Sequence, residues 1–136
     1  MTHTKAARTV RVVVLVLGVV YLVLAVTGIL VVGWGRIREA DPALLLGVFG
    51  VSRLLDVAHA VLGVVAVLAA VRGGASAFAA VATVVFTAMG AYGVIAGVIG
   101  DAGDPLHMTW WNVGLYLVSA LTCAFVYTLH LRRNHG

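Results

Sequence analysis

Charge is scarce in this sequence. Only 10% of its 136 residues are charged while 62% are hydrophobic, and the mean hydropathy is +1.11. A soluble domain carries about a quarter charged residues. A chain this short exposes much of its surface whatever its fold, and so few polar groups cannot clothe that surface in water. Cysteine is nearly absent too. Cys123 stands alone, which excludes an intrachain disulfide and a cysteine-built zinc site; inside an apolar run its thiol is expected to behave as a small hydrophobe. Motifs of soluble enzymes are missing: there is no GxxxxGK[ST], no HExxH and no GxSxG, so no enzymatic activity is expected. The net charge of +4 is scattered over the ends and short connections. No basic face forms, and nucleic acid is not an expected partner.

What is present is a set of long apolar runs. Val12 to Val32 carries no charge and follows Lys5, Arg8 and Arg11. As a helix it would measure ~31 Å, the thickness of a bilayer core. A cleaved signal sequence would have a shorter apolar core and a small-residue cleavage site, so this run is expected to remain as a span. A polar connection, Arg36 to Pro42, is followed by Leu44 to Val51, too short to cross a bilayer. That piece is expected to lie in the interface or to extend the next helix. Further spans are expected at 54–71, 77–99 and 108–131, with breaks at Arg72-Gly73-Gly74 and at the turn-forming Asp101 to Pro105. The pattern defines an all-α polytopic membrane protein: one domain, four transmembrane helices in a bundle, forming two helical hairpins that are either related as an internal repeat or alike by topology alone. A β-barrel would need strands of about ten alternating residues, which the unbroken apolar runs exclude.

Lys5, Arg8, Arg11, Arg72, Arg132 and Arg133 gather on one side without an acid. Arg36, Arg38 and Arg53 share the other with Glu39, Asp41, Asp56, Asp101 and Asp104. The positive-inside rule places the first side, with both termini, in the cytoplasm of a plasma membrane. Trp34, Trp110 and Trp111 fall where aromatic residues meet the headgroups. Abundant Val, Ala, Gly and Arg, with Lys5 the lone lysine, point to a GC-rich genome of actinobacterial type.

In lipid, helices associate through close backbone approach and interhelical hydrogen bonds. Gly90, Gly93, Gly97 and Gly100 fall on one stripe of the third span. The stripe serves either packing inside the bundle, the favoured expectation, or a homodimer seam. Gly63 and Ala66 offer a smaller face on the second span.

Polar residues within spans are costly and mark candidate sites. Asp56 and His59 share a face of the second span with Arg53 and Gly63, while Asn112 and Tyr116 share a face of the fourth; Thr27 and Tyr92 complete the set. All fall toward the outer half. One expectation is an outward-facing polar pocket of Asp56, His59, Asn112 and Tyr116 that binds a ligand or relays protons, His being the side chain that titrates near neutrality. The other, favoured, is a structural network in which Asp56 pairs with Arg53, His59 bonds a neighbouring helix, and Asn112 and Tyr116 satisfy each other. His59, His107 and His130 are not spaced for haem, and Asp56, His59 and His107 lack diagnostic metal spacing; neither metal nor cofactor is expected.

Gly47-Val48-Phe49-Gly50-Val51-Ser52, leading into Leu55-Asp56-Val57-Ala58-His59-Ala60-Val61-Leu62-Gly63, resembles the DUF4383 family of small four-helix membrane proteins. In that family a similar outer segment leads into an Asn-x-x-His-x-x-x-Gly opening of the second span, often echoed in the fourth. Here His59 and Gly63 match and Asp56 replaces the Asn. Asn112 matches the echo, but Leu115 stands where its His would be. The resemblance implies a fold and a membrane location and carries no activity. The expected role is a structural or accessory component of a membrane assembly, with the bilayer and either further copies or other membrane proteins as partners. The alternative is a small transporter or channel subunit using Asp56 and His59.

Overall fold

The computed structural model describes residues 2–33, 43–100 and 106–134. The connection at 34–42 and the turn at 101–105 lie outside the described residues. Helix α1 spans Thr2–Val32, α2 Arg53–Arg72, α3 Ala75–Ile99 and α4 Trp110–Asn134. Each is long and apolar enough to cross a membrane, the apolar segments being Lys5–Val31, Arg53–Arg72, Ala75–Ile99 and Trp110–Arg132. A bilayer offers the backbone no hydrogen-bonding partner, and a helix satisfies its own. The expected four-helix bundle is therefore the observed one, with α1 packed chiefly on α2 and α3 on α4.

The buried face of every helix repeats at steps of three and four. It runs through Val14, Gly18, Tyr21, Ala25 and Gly28 on α1, and through Asp56, His59, Gly63, Ala66 and Ala70 on α2. On α3 it runs through Ala75, Ala79, Ala82, Phe86, Gly90 and Gly93, and on α4 through Asn112, Tyr116, Ser119, Cys123 and Val126. Steps of three and four keep one face of each helix turned inward. Small residues dominate it because backbones must approach closely where lipid supplies no hydrophobic drive. At Gly63 an added Cβ would lie 2.9 Å from the Gly18 carbonyl oxygen and 2.7 Å from Leu22 Cγ.

One expectation fails. Of the two forms expected for the apolar piece after the first connection, extension of α2 is the one overturned. The piece is a β-hairpin, β1 at Ala43–Leu45 and β2 at Phe49–Val51, paired antiparallel with Leu44 opposite Gly50. Leu46 and Gly47 take φ of 54° and 74°, and the Val48 N–H donates to the Leu45 carbonyl at 3.2 Å. Two successive positive-φ residues are the signature of turns that match strand twist. The sequence hid this because Leu occupies a position that usually favours Asn or Gly.

The starts of α2, α3 and α4 differ by one or two residues from expectation, while α1 begins ten residues earlier, at Thr2. Ser52 caps α2, its hydroxyl accepting from the Leu55 N–H at 3.2 Å. Thr109 precedes α4, which begins at Trp110 rather than Met108. Asn112, three residues on, accepts from the Thr109 N–H at 3.1 Å, the geometry of one half of a capping box. Gly73, at φ 89°, ends α2, and Gly74 donates to the Ala69 carbonyl at 2.8 Å.

Candidate functional site

Each helix contributes one ring to the centre of the bundle: Tyr21 from α1, His59 from α2, Phe86 from α3 and Tyr116 from α4. Tyr21 stacks on Phe86 at 5.0 Å between centroids, Phe86 on Tyr116 at 6.3 Å, and His59 lies tilted at 5.3 Å from Tyr21 and 5.9 Å from Tyr116. The heptad-like spacing that buries these helices places the rings at one level.

Two hydrogen bonds thread the cluster. His59 Nε2 and the Tyr116 hydroxyl are 2.6 Å apart, and the Tyr21 hydroxyl is 2.9 Å from Ser119 Oγ. The first joins α2 to α4, and the second joins α1 to α4. His59 thus bonds a neighbouring helix. Its other ring nitrogen, Nδ1, is buried and has no hydrogen-bond partner. A neutral imidazole has one donor and one acceptor, so half of its capacity is unused.

Asp56 is fully buried, at 0% exposure, and neither carboxyl oxygen has a hydrogen-bond partner. The expected Asp56–Arg53 pair is not formed. Arg53 is drawn elsewhere: its Nε–H donates to the Gly33 carbonyl at 3.0 Å, while Nη1 is buried without a partner. Gly33, at φ 72°, closes the end of α1, and α1 has no basic residue in its last turn. Arg53 supplies from α2 the cation that a helix C-terminus attracts. The carboxyl of Asp56 instead sits against Gly28 of α1, where a Cβ would overlap Oδ1.

Asn112 serves the hairpin. Its Oδ1 accepts from the Gly50 N–H at 2.8 Å and its Nδ2 donates to the Gly50 carbonyl at 3.1 Å. The side-chain amide pairs with one residue's N–H and C=O as a neighbouring strand would, covering the outer edge of β2. Thr109 Oγ1 reinforces the junction, within 2.8 Å of the Val48 carbonyl and 2.7 Å of Asn112 Oδ1; its one hydroxyl proton serves one of them at a time. Gly50 is required here, since a Cβ would overlap the His107 carbonyl.

The structure thus brings His59 and Tyr116 into one hydrogen bond, places Asp56 one turn away on α2, and commits Asn112 to the hairpin junction. Among the described residues, no three of His, Cys, Asp and Glu come together as metal ligands would. On α3, Gly90 lies under Leu117, Gly93 under Val113 and Met108, and Gly97 under the Trp110 ring. Gly90 and Gly93 are buried against α4, whereas Gly97 stays exposed beside the Trp110 ring. Gly100 differs: it ends α3 at φ 94° with nothing within 4 Å of an added Cβ.

Sequence reading missed Tyr21, Ser119 and Gly28. The signal existed. Gly18, Tyr21, Ala25 and Gly28 repeat at three and four among larger aliphatics, and Ser119 and Cys123 continue the face opened by Asn112 and Tyr116.

These features define a class: a four-helix integral membrane protein with an aromatic and hydrogen-bonded centre, and a hairpin over one end. The model of one family, the domain of unknown function DUF4383, matches residues 11–129. The chain belongs to that family. No curated protein and no solved structure matches it.

Proposed function

We propose that the protein is a non-enzymatic structural or accessory component of a membrane assembly. It lies in the plasma membrane with both termini cytoplasmic and the hairpin end outward. The distribution of Lys5, Arg8, Arg11, Arg72 and Arg132 supports that orientation. The observation that carries the role is the ring cluster. Four helices are locked at one level by rings and two hydrogen bonds, and the polar column stops there. Toward the Arg72 end the buried core includes Val10, Val14, Ala70, Ala75, Ala79 and Val126, all of them apolar. A bundle built this way braces itself and presents lipid-facing surfaces to neighbours. Proteoliposomes holding the purified protein are expected to leak protons and small ions no faster than protein-free vesicles, while crosslinking in native membranes is expected to trap a second membrane protein or another copy of this chain. Flux well above background, lost on Asp56→Asn, would overturn this role.

One observation favours a second reading, a small transporter or channel subunit. Asp56 is a buried acid whose oxygens have no protein partner, and such residues mark ion and proton pathways. The same flux measurement separates the two.

A further inference from the structure

We infer that Asp56 is a proton-binding site whose occupancy decides where Arg53 goes: to the end of α1 when the proton is bound, to Asp56 when it is released.

The first ground is geometric. The carboxyl is wholly enclosed, both oxygens are unpartnered, and its space is the one left by Gly28. An ionised carboxylate placed so is not tolerated without a counter-charge. The groups facing it are few. From α1 it meets Gly28, whose neighbour Thr27 turns its hydroxyl to its own helix, onto the Val23 and Leu24 carbonyls. From α4 the Tyr116 hydroxyl is already engaged, 2.6 Å from His59 Nε2. On α2 itself, Arg53 and His59 stand one turn to either side. A metal ion would need several more oxygens, and the Arg53 guanidinium on the same face disfavours any second cation. A proton needs one oxygen. Uptake forms an O–H bond on the carboxyl, with the proton taken from hydronium and water left behind.

The second ground is Arg53. Its Nη1 is buried and unpartnered while its Nε holds the Gly33 carbonyl. An arginine three residues before an acid on a helix is within pairing reach, yet here the pair is open. That arrangement fits a neutral acid. Release of the proton creates the charge that draws the guanidinium away from Gly33, which uncaps α1 beside the hairpin. This holds whether the protein braces an assembly or conducts, since it concerns binding alone.

Infrared spectroscopy of the protein in lipid tests it. At neutral pH a carbonyl stretch of a protonated carboxyl, shifted in heavy water, is expected, and carboxyl-labelled [13C]aspartate should move it. Asp56→Asn should abolish it, and Asp56→Glu should shift it. Raising the pH should remove the band. In Arg53→Gln, which takes away the counter-charge of the released state, removal should need a pH higher by about one unit, a tenfold change in proton affinity. The isotope shift reads the native chain, so a variant that fails to fold does not block the test. A spectrum with no protonated carboxyl at neutral pH, or a band indifferent to the aspartate label or to Asp56→Asn, overturns the site. An unchanged midpoint in Arg53→Gln overturns the exchange of Arg53.

Discussion

At the scale of single residues, two amides' worth of hydrogen bonding hangs on Asn112. Its oxygen accepts from Gly50 and Thr109, and its nitrogen donates to the Gly50 carbonyl. Leucine has the same branching and number of side-chain heavy atoms, though more bulk, and none of this capacity. Asn112→Leu strands buried backbone groups, each costing about 1–3 kcal/mol. It should lower the unfolding midpoint in mild detergent and speed hydrogen exchange at Gly50, while distant α3 amides keep their protection. Uniform loss of protection would show that the amide braces more than the hairpin. The His59–Tyr116 bond is a different test, because both partners are side chains. A double-mutant cycle of His59→Leu and Tyr116→Phe should return a coupling of about 1 kcal/mol, within the range of interhelical bonds in membranes. Additive effects would mean that ring packing, not the bond, holds α2 to α4.

At the scale of elements, the glycines of α3 and α4 should separate cleanly. An added Cβ at Gly93 would lie 2.6 Å from Val113 Cγ2, and at Gly97 3.0 Å from the Trp110 ring, while at Gly114 nothing lies within 4 Å. Gly93→Ala should therefore destabilise the bundle most, Gly97→Ala less, and Gly114→Ala not at all, since alanine gains up to about 1 kcal/mol of helix propensity there. Steric-trap or denaturant unfolding in micelles reads the order, and a Gly114→Ala loss equal to that of Gly93→Ala would remove the assignment of the α3–α4 seam. The element that escaped sequence reading is the hairpin. Three-residue strands carry too little pattern to announce themselves, and the exposed Leu46 at its tip, at 85% exposure and positive φ, lacks the Asn or Gly that normally marks such a turn. Its edge is covered by a side chain more than sixty positions away, a pairing that local sequence does not encode.

At the scale of the whole molecule, orientation can be tested by labelling. With a membrane-impermeant maleimide on sealed cells, Leu46→Cys at the hairpin tip should react from outside and Gly74→Cys at the α2–α3 turn only after the cells are opened. Native Cys123, fully buried, should react in neither. The reverse pattern would invert the proposed topology. The four membrane-length helices and their packing as two pairs were legible in sequence, because lipid demands long uncharged helices and charge marks their ends. Which face of each helix turns inward was far less legible. In water the apolar face is the buried one, but here lipid-facing Val, Leu and Ile are as apolar as the core, so hydropathy loses its period. The small and polar residues keep it, and they point to the seam on all four helices.

By itself the sequence determined a four-helix membrane bundle and nominated Asp56, His59, Asn112 and Tyr116 as its intramembrane polarity. Only the tertiary structure decided who meets whom. His59 found Tyr116, Asn112 found Gly50, and Arg53 passed over its helical neighbour for the open carbonyl of Gly33. Spacing along one helix says which groups are within reach. Packing against three others decides which of them are already satisfied, and it left the carboxyl of Asp56 against a glycine with nothing to hold.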